Sequence, residues 1–119
     1  MKKSRSTNPV VQELIKELTM KTYEKDAPIW RDVAKRLLRS SSRAEVNLSR
    51  IARHTKKNDI VLVPGKVLGS GSISHPVTVG ALGFSNQAKE KLIFGGGKYM
   101  NIKELMSKVP KGTDVKVVE

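Results

Sequence analysis

"DIVLVPGKVLGSGSISHPVTVGALGFS", residues 59–85, decides the fold. It opens on a continuous apolar run, "DIVLV", that reads as a buried strand ended by Pro64-Gly65. "KVL" at 66–68 then reads as a second short strand, and "VTVGALG" at 77–83 as a third. Between them lies "GSGSISHP", residues 69–76. The stretch raises a chemical question as well. Residues 63–72 hold three glycines, one lysine and two serines, the right material for cradling a phosphate with backbone N–H groups and an ammonium.

The spacing rejects a nucleotide site. A P-loop needs a glycine where Ile60 stands and a serine or threonine where Val67 stands. A dinucleotide fingerprint beginning at Gly69 needs a third glycine at Ser74, followed by a helix. "GALG" at 80–83 has the glycine spacing of a KH loop but sits in an apolar strand and carries no basic residue. What remains is a Gly-Ser loop at a strand end, with Lys66 at its base and His75 at its exit. Its glycines permit close approach, and its hydroxyls and free N–H groups suit phosphate oxygens and ribose hydroxyls.

Outward from this stretch the chain alternates. Asn8-Pro9 is an N-cap with the favoured first-turn proline, and Val11, Leu14, Ile15 and Leu18 predict a helix running to about residue 22. A second helix opens near Asp26, Ala27 and Pro28, with the apolar stripe Trp30, Val33, Ala34, Leu37 and Leu38. "SSSR" at 40–43 is a linker, after which Val46 predicts a short strand running into a turn of helix capped by Asn47. Past residue 84, Ser85 caps the helix "NQAKEKLI", a triple glycine follows at 95–97, and Asn101 with Glu104 forms a capping box. "PKG" at 110–112 is a turn and "VKVV" a last strand. The expected fold is α/β: short strands mixed with helices that cover both faces, preceded by two N-terminal helices and a basic tail. Residues 1–7 form that flexible tail and 8–119 a single domain.

Charge bounds the function. Twenty-three Lys and Arg against eleven Asp and Glu give +12 over 119 residues, and all seven arginines lie before residue 54. That excess calls for a polyanionic partner, and arginine is the residue suited to bidentate phosphate contacts and to stacking on bases. Arg50, Arg53, His54, Lys56 and Lys57 make the densest cationic cluster. Leu48 and Ile51 take the packing positions there, so the basic residues project outward together. No cysteine is present, which excludes disulfides and thiolate chemistry and suits a reducing compartment. No apolar run has the length of a membrane span or signal peptide, so a soluble intracellular protein is expected. His54 and His75 have no partner at metal-ligand spacing, and no serine occupies a nucleophile elbow. The sequence therefore argues against an enzyme, a resident metal and a nucleotide cofactor. A basic chromatin-type DNA-binding protein is the alternative, but no helix-turn-helix, finger or basic zipper is present. A membrane-surface protein is disfavoured because Trp30, Leu37 and Leu38 are needed as core.

"VNLSRI" at 46–51, "VPGKVLGSG" at 63–71, "VTVGALGFSNQA" at 77–88, Gly95-Gly96 and "PKG" at 110–112 together resemble one family. It is the large-subunit ribosomal protein eighteen family of archaea and eukaryotes, here in its short archaeal form and related to bacterial large-subunit protein fifteen. The opening "NP…LI" at 8–15 and "WRDVAKRL" at 30–37 fit as well, so the resemblance spans the chain. It departs at "SSSR", where the family pattern has a proline and paired arginines; Arg43 carries what is left of that contact.

The resemblance implies an irregular β-β-α arrangement with N-terminal helices and a non-catalytic role, binding ribosomal RNA in the cytoplasm as part of the large subunit. It implies that Lys66, Gly69, Ser70 and Gly71 lie against RNA, and that Arg50, Arg53 and the neighbouring lysines form the basic patch. Beside these, Ser72, His75, Lys98, Arg39, Arg43 and the tail residues Lys2, Lys3 and Arg5 are candidate RNA contacts. Ribosomal RNA and neighbouring large-subunit proteins are the expected partners, with no membrane and no homo-oligomer.

Overall fold

A computed structural model describes residues 9–25, 28–39, 44–112 and 114–119. Its elements are α1 (Pro9–Lys25), α2 (Pro28–Arg39), β1 (Ala44–Asn47), α3 (Leu48–His54), β2 (Ile60–Leu68), β3 (Thr78–Phe84), α4 (Asn86–Phe94), β4 (Lys98–Asn101), α5 (Ile102–Lys108) and β5 (Val115–Val117). The strands form one sheet in the order β1-β2-β3-β4, with β5 also on β2, and all pairings among the described residues are parallel.

The central strand corrects the sequence reading. "DIVLVPG" and "KVL" are not two strands; β2 runs unbroken through Pro64-Gly65. On one edge its first part, Ile60–Leu62, pairs with β5, and its last part, Gly65–Leu68, pairs with β1. Pro64, which has no N–H to give, falls in the gap between those two partners. On the other edge Val63 faces Ala81 and Lys66 faces Gly83, so Pro64 and Gly65 together stand against Leu82 alone. The two turn-forming residues make a bulge within a strand.

Helices cover both faces of the sheet. On one face Leu62 and Met100 pack with Val11, Ile15 and Leu18 of α1, Trp30, Val33 and Leu37 of α2, and Ile102 and Leu105 of α5. On the other, Val61, Val63, Val79 and Ala81 pack with Leu48 and Ile51 of α3 and Ala88 and Leu92 of α4. Burying each such side chain contributes about 1.5–3 kcal/mol, which is why aliphatic residues suffice for a core holding one aromatic ring. That ring, Trp30, is fully buried, and its Nε1–H donates to the Pro110 carbonyl at 2.6 Å, tying α2 to the turn before β5. Trp30→Phe keeps most of the packing and leaves that carbonyl unpaired; we expect a loss of about 1–3 kcal/mol in urea denaturation, with no change in secondary structure by circular dichroism.

Local signals explain the remaining ends. Ser85 Oγ accepts from the Ala88 N–H at 3.1 Å, and the Asn101–Glu104 capping box is complete. Asn47 holds the N-cap position of α3 without a side-chain capping bond. Helix α1 continues to Lys25, past the expected end near residue 22, since "KTYEK" contains no breaker. Strand β4, unforeseen, adds four residues after the triple glycine, its ladder led by the Lys98 N–H donating to Val77 O at 2.9 Å. The expected Asn8 cap, the Asp26-Ala27 opening of α2 and the linker 40–43 lie outside the described residues.

Candidate nucleic-acid interface

The connection from β2 to β3 shapes the surface. Parallel strands usually need a helical crossover of a dozen or more residues. Here β2 ends at Leu68, β3 starts at Thr78, and the chain must return from Leu68 to the level of Ile60, which pairs with Thr78. That is about 26 Å at ~3.3 Å per residue, within reach of residues 69–77 only if they are nearly extended. The Gly-Ser segment is therefore a strap laid along the sheet face, with Ile73 and Val77 buried in the core beneath it.

The strap runs between α3 and α4 and is pinned to both. The Ser49 N–H at the start of α3 donates to Ser70 O at 3.2 Å. Lys91 of α4 donates from Nζ to Gly69 O at 2.7 Å and to Gly71 O at 2.6 Å. At the far end the Thr55 hydroxyl donates to Ile51 O at 2.7 Å and so accepts from His75 Nε2–H, also at 2.7 Å.

This packing gives the glycines a role inside the chain. A Cβ at Gly69 would sit 2.7 Å from Gln87 Cβ, and one at Gly71, whose φ is +89°, only 2.5 Å from Ser49 Cβ. Both positions are tight inside the chain, because the strap is wedged between two helices. Between the pins, Ser70, Gly71, Ser72 and Ser74 face solvent.

Helix α3 lies alongside, its Leu48 and Ile51 buried and its Arg50, Arg53 and His54 exposed. The turn that follows exposes Lys56 and Lys57 and is closed by Asp59, whose Oδ2 accepts from the Lys56 N–H at 2.7 Å. Lys116 of β5 reaches the same place, donating to Asp59 Oδ2 at 2.8 Å and to His54 O at 3.4 Å. The Lys116 ammonium first, and the Lys56 N–H second, hold the Asp59 carboxyl below the usual carboxylate range. Arg50, Arg53 and Lys57 have no salt bridge among the described residues and Lys56 feels only the charge of Asp59, whereas Arg36 is taken up by Asp32 and Glu119. One continuous surface thus carries the α3 cations and the exposed serines of the strap.

Other candidates fall elsewhere. Lys66 is exposed in β2 facing Glu45 of β1, near the carboxyl ends of the strands and away from the Lys56–Lys57 turn. Lys98 is exposed at the start of β4, and His75 is half-buried with Nε2 engaged. Arg39 closes α2, its side chain undescribed, and Lys2, Lys3, Arg5 and Arg43 lie outside the described residues. Sequence reasoning missed Lys91 and Lys116, whose roles depend on contacts 20 to 62 residues away along the chain. Among the described residues no three His, Asp or Glu are placed to hold a metal, and no helix is long and apolar enough to cross a membrane.

The family described as "Ribosomal protein 60S L18 and 50S L18e" matches residues 1–119. The chain belongs to this family. It is 45% identical over 119 residues to a "Large ribosomal subunit protein eL18" of Methanococcus maripaludis, covering 99% of each chain. A protein of the same name from Archaeoglobus fulgidus is 45% identical over 96% of this chain and 98% of its own. That from Methanothermobacter thermautotrophicus is 42% identical over 100% and 99%. Family membership carries a structural role in the large ribosomal subunit, not an enzymatic one.

Proposed function

We propose that the chain binds ribosomal RNA through the α3–strap surface and thereby stabilises the large subunit, alongside neighbouring ribosomal proteins. The observation that carries this reading is the row Arg50 and Arg53, exposed and without a salt bridge among the described residues on a helix whose opposite side is buried, continued by exposed Lys56 and Lys57 in the turn that follows. Guanidinium groups held on a rigid helix suit phosphate oxygens, and the strap's hydroxyls and outward backbone add neutral donors beside them. Lys98 and the tail cations Lys2, Lys3 and Arg5 extend the same electrostatic attraction. A single domain acting as one copy per subunit completes the reading.

The test is Arg50→Ala with Arg53→Ala, measured by filter binding to large-subunit rRNA fragments and by thermal denaturation. We expect affinity to fall roughly tenfold or more, with the fold intact because neither side chain packs in the core. Unchanged affinity overturns this surface. Equal weakening on duplex DNA and rRNA, with no sedimentation with the large subunit in cell lysate, favours a chromatin-type protein instead.

A further inference from the structure

Aromatic residues make up only 4% of this chain, and of those described only Trp30 is fully buried, with Phe84 packed against the core at its margin. Phe84 and Tyr99 come together at the outer side of the sheet, on the side of α4, their ring centroids 5.4 Å apart and tilted by 58°. Tyr99 is 39% exposed, and Lys89 of α4 holds its ammonium 5.7 Å from the centre of that ring. Lys89 has no acidic partner among the described residues. These groups line a cleft of about 410 Å³ that continues to Asn101 and Glu104. The Asn101 side-chain oxygen accepts from the Glu104 N–H at 2.7 Å, and Glu104 Oε1 closes the box at 3.4 Å, so the carboxylate is fixed at the cleft wall. The cleft opens where β3 and β4 end, the end of a parallel sheet at which ligands characteristically bind.

We propose that this cleft takes one unstacked base of single-stranded RNA, an inference that rests on the RNA-binding reading above. The Tyr99 ring is the stacking surface, its outer face covered by the Lys89 ammonium and not by core packing. Lys89 then follows the nucleotide's phosphate. Glu104 supplies an acceptor and no donor, so it favours a base presenting an exocyclic amine, cytosine over uracil, while repelling the uracil O4 acceptor. An arrangement of ring, cation and fixed carboxylate within one small cleft fits a nucleobase edge, a ring face and a phosphate together.

The test uses the full chain and two probes of equal size and charge, the single-stranded RNAs rC12 and rU12, by fluorescence anisotropy. The wild type is expected to prefer rC12 severalfold. Tyr99→Leu, which keeps apolar bulk against Phe84, lowers affinity for rC12 about tenfold, and Tyr99→Phe restores it. Glu104→Gln preserves the capping box, since glutamine also serves there, and removes or reverses the preference for cytosine. Equal affinities for the two probes, unchanged by Tyr99→Leu, overturn the cleft; if Arg50→Ala with Arg53→Ala still weakens both probes, RNA binding itself stands. A wild type that binds large-subunit rRNA fragments but neither probe overturns the cleft alone; one that binds none of these overturns the RNA reading as well.

Discussion

Gly71→Val lowers stability by about 3 kcal/mol or more and the melting temperature by roughly 10–20 °C. Two independent penalties meet at this position. The backbone holds φ at +89°, a conformation that a β-branched residue enters only with strain, and its added Cβ would press on Ser49 at 2.5 Å, with the Ser49 backbone nitrogen at 2.9 Å. Backbone cannot move aside as a flexible side-chain end can, so the strap must lift from α3. Lifting it breaks the Ser49–Ser70 bond and loosens the two bonds from Lys91. Gly83→Val supplies the control: its φ is unremarkable and the nearest atom to an added Cβ is Lys66 Cγ at 4.0 Å, so near-wild-type stability is expected. Thermal denaturation of the two variants reads the difference. A Gly71→Val protein as stable as the wild type would sink the wedged strap, and the internal explanation of its glycines with it.

The same strap shows what a sequence can and cannot disclose. Apolar runs at 60–63 and 77–81 identified strands, and Ser85 and Asn101 identified helix starts, because each signal acts within a few residues. Pro64-Gly65 misled because a turn and a bulge use the same residues. What separates them is whether partner strands continue along the edge, and of these β1 precedes the stretch while β5 is the last described strand of the chain. Strand β4 escaped notice for a similar reason: "KYMN" is short, and it is the Val79–Tyr99 register with β3 that makes it a strand.

The candidate interface divides in the same way. That Leu48 and Ile51 are inward and Arg50 and Arg53 outward follows from helical spacing, and the structure places them so. That the strap lies beside those arginines does not follow from spacing. It depends on a parallel crossover made without a helix, which brings residues 69–75 back along α3. Glycines expected at the RNA surface are also wedged against the neighbouring helices, which spacing alone does not show. Lysines 91 and 116, indistinguishable in the sequence from solvated surface charges, fasten the strap and the turn.

Affinity for ribosomal RNA is expected to fall by about 10³–10⁵ between about 50 and 200 mM monovalent salt. The driving force is the release of counterions from each phosphate that a cation neutralises, so the size of the effect counts contacts. It requires cations that are not already paired. Arg36 is held by Asp32 and Glu119, Lys103 lies 3.3 Å from Glu17, and Lys116 lies 2.8 Å from Asp59, so these add little. Arg50, Arg53, Lys56, Lys57, Lys66 and Lys98 are exposed and make no salt bridge among the described residues, although Lys56 lies near Asp59 and Lys66 beside Glu45. Those alone approach the roughly six contacts at which the lower figure applies. Removing Arg50 and Arg53 together then makes the slope of log affinity against log salt shallower by about two, whereas Arg36→Ala leaves it nearly unchanged. Filter binding across a salt series measures all three slopes on the same RNA. A flat dependence in the wild type, or an Arg36→Ala slope that falls as far as the double variant's, would show that RNA is not held by the α3 surface.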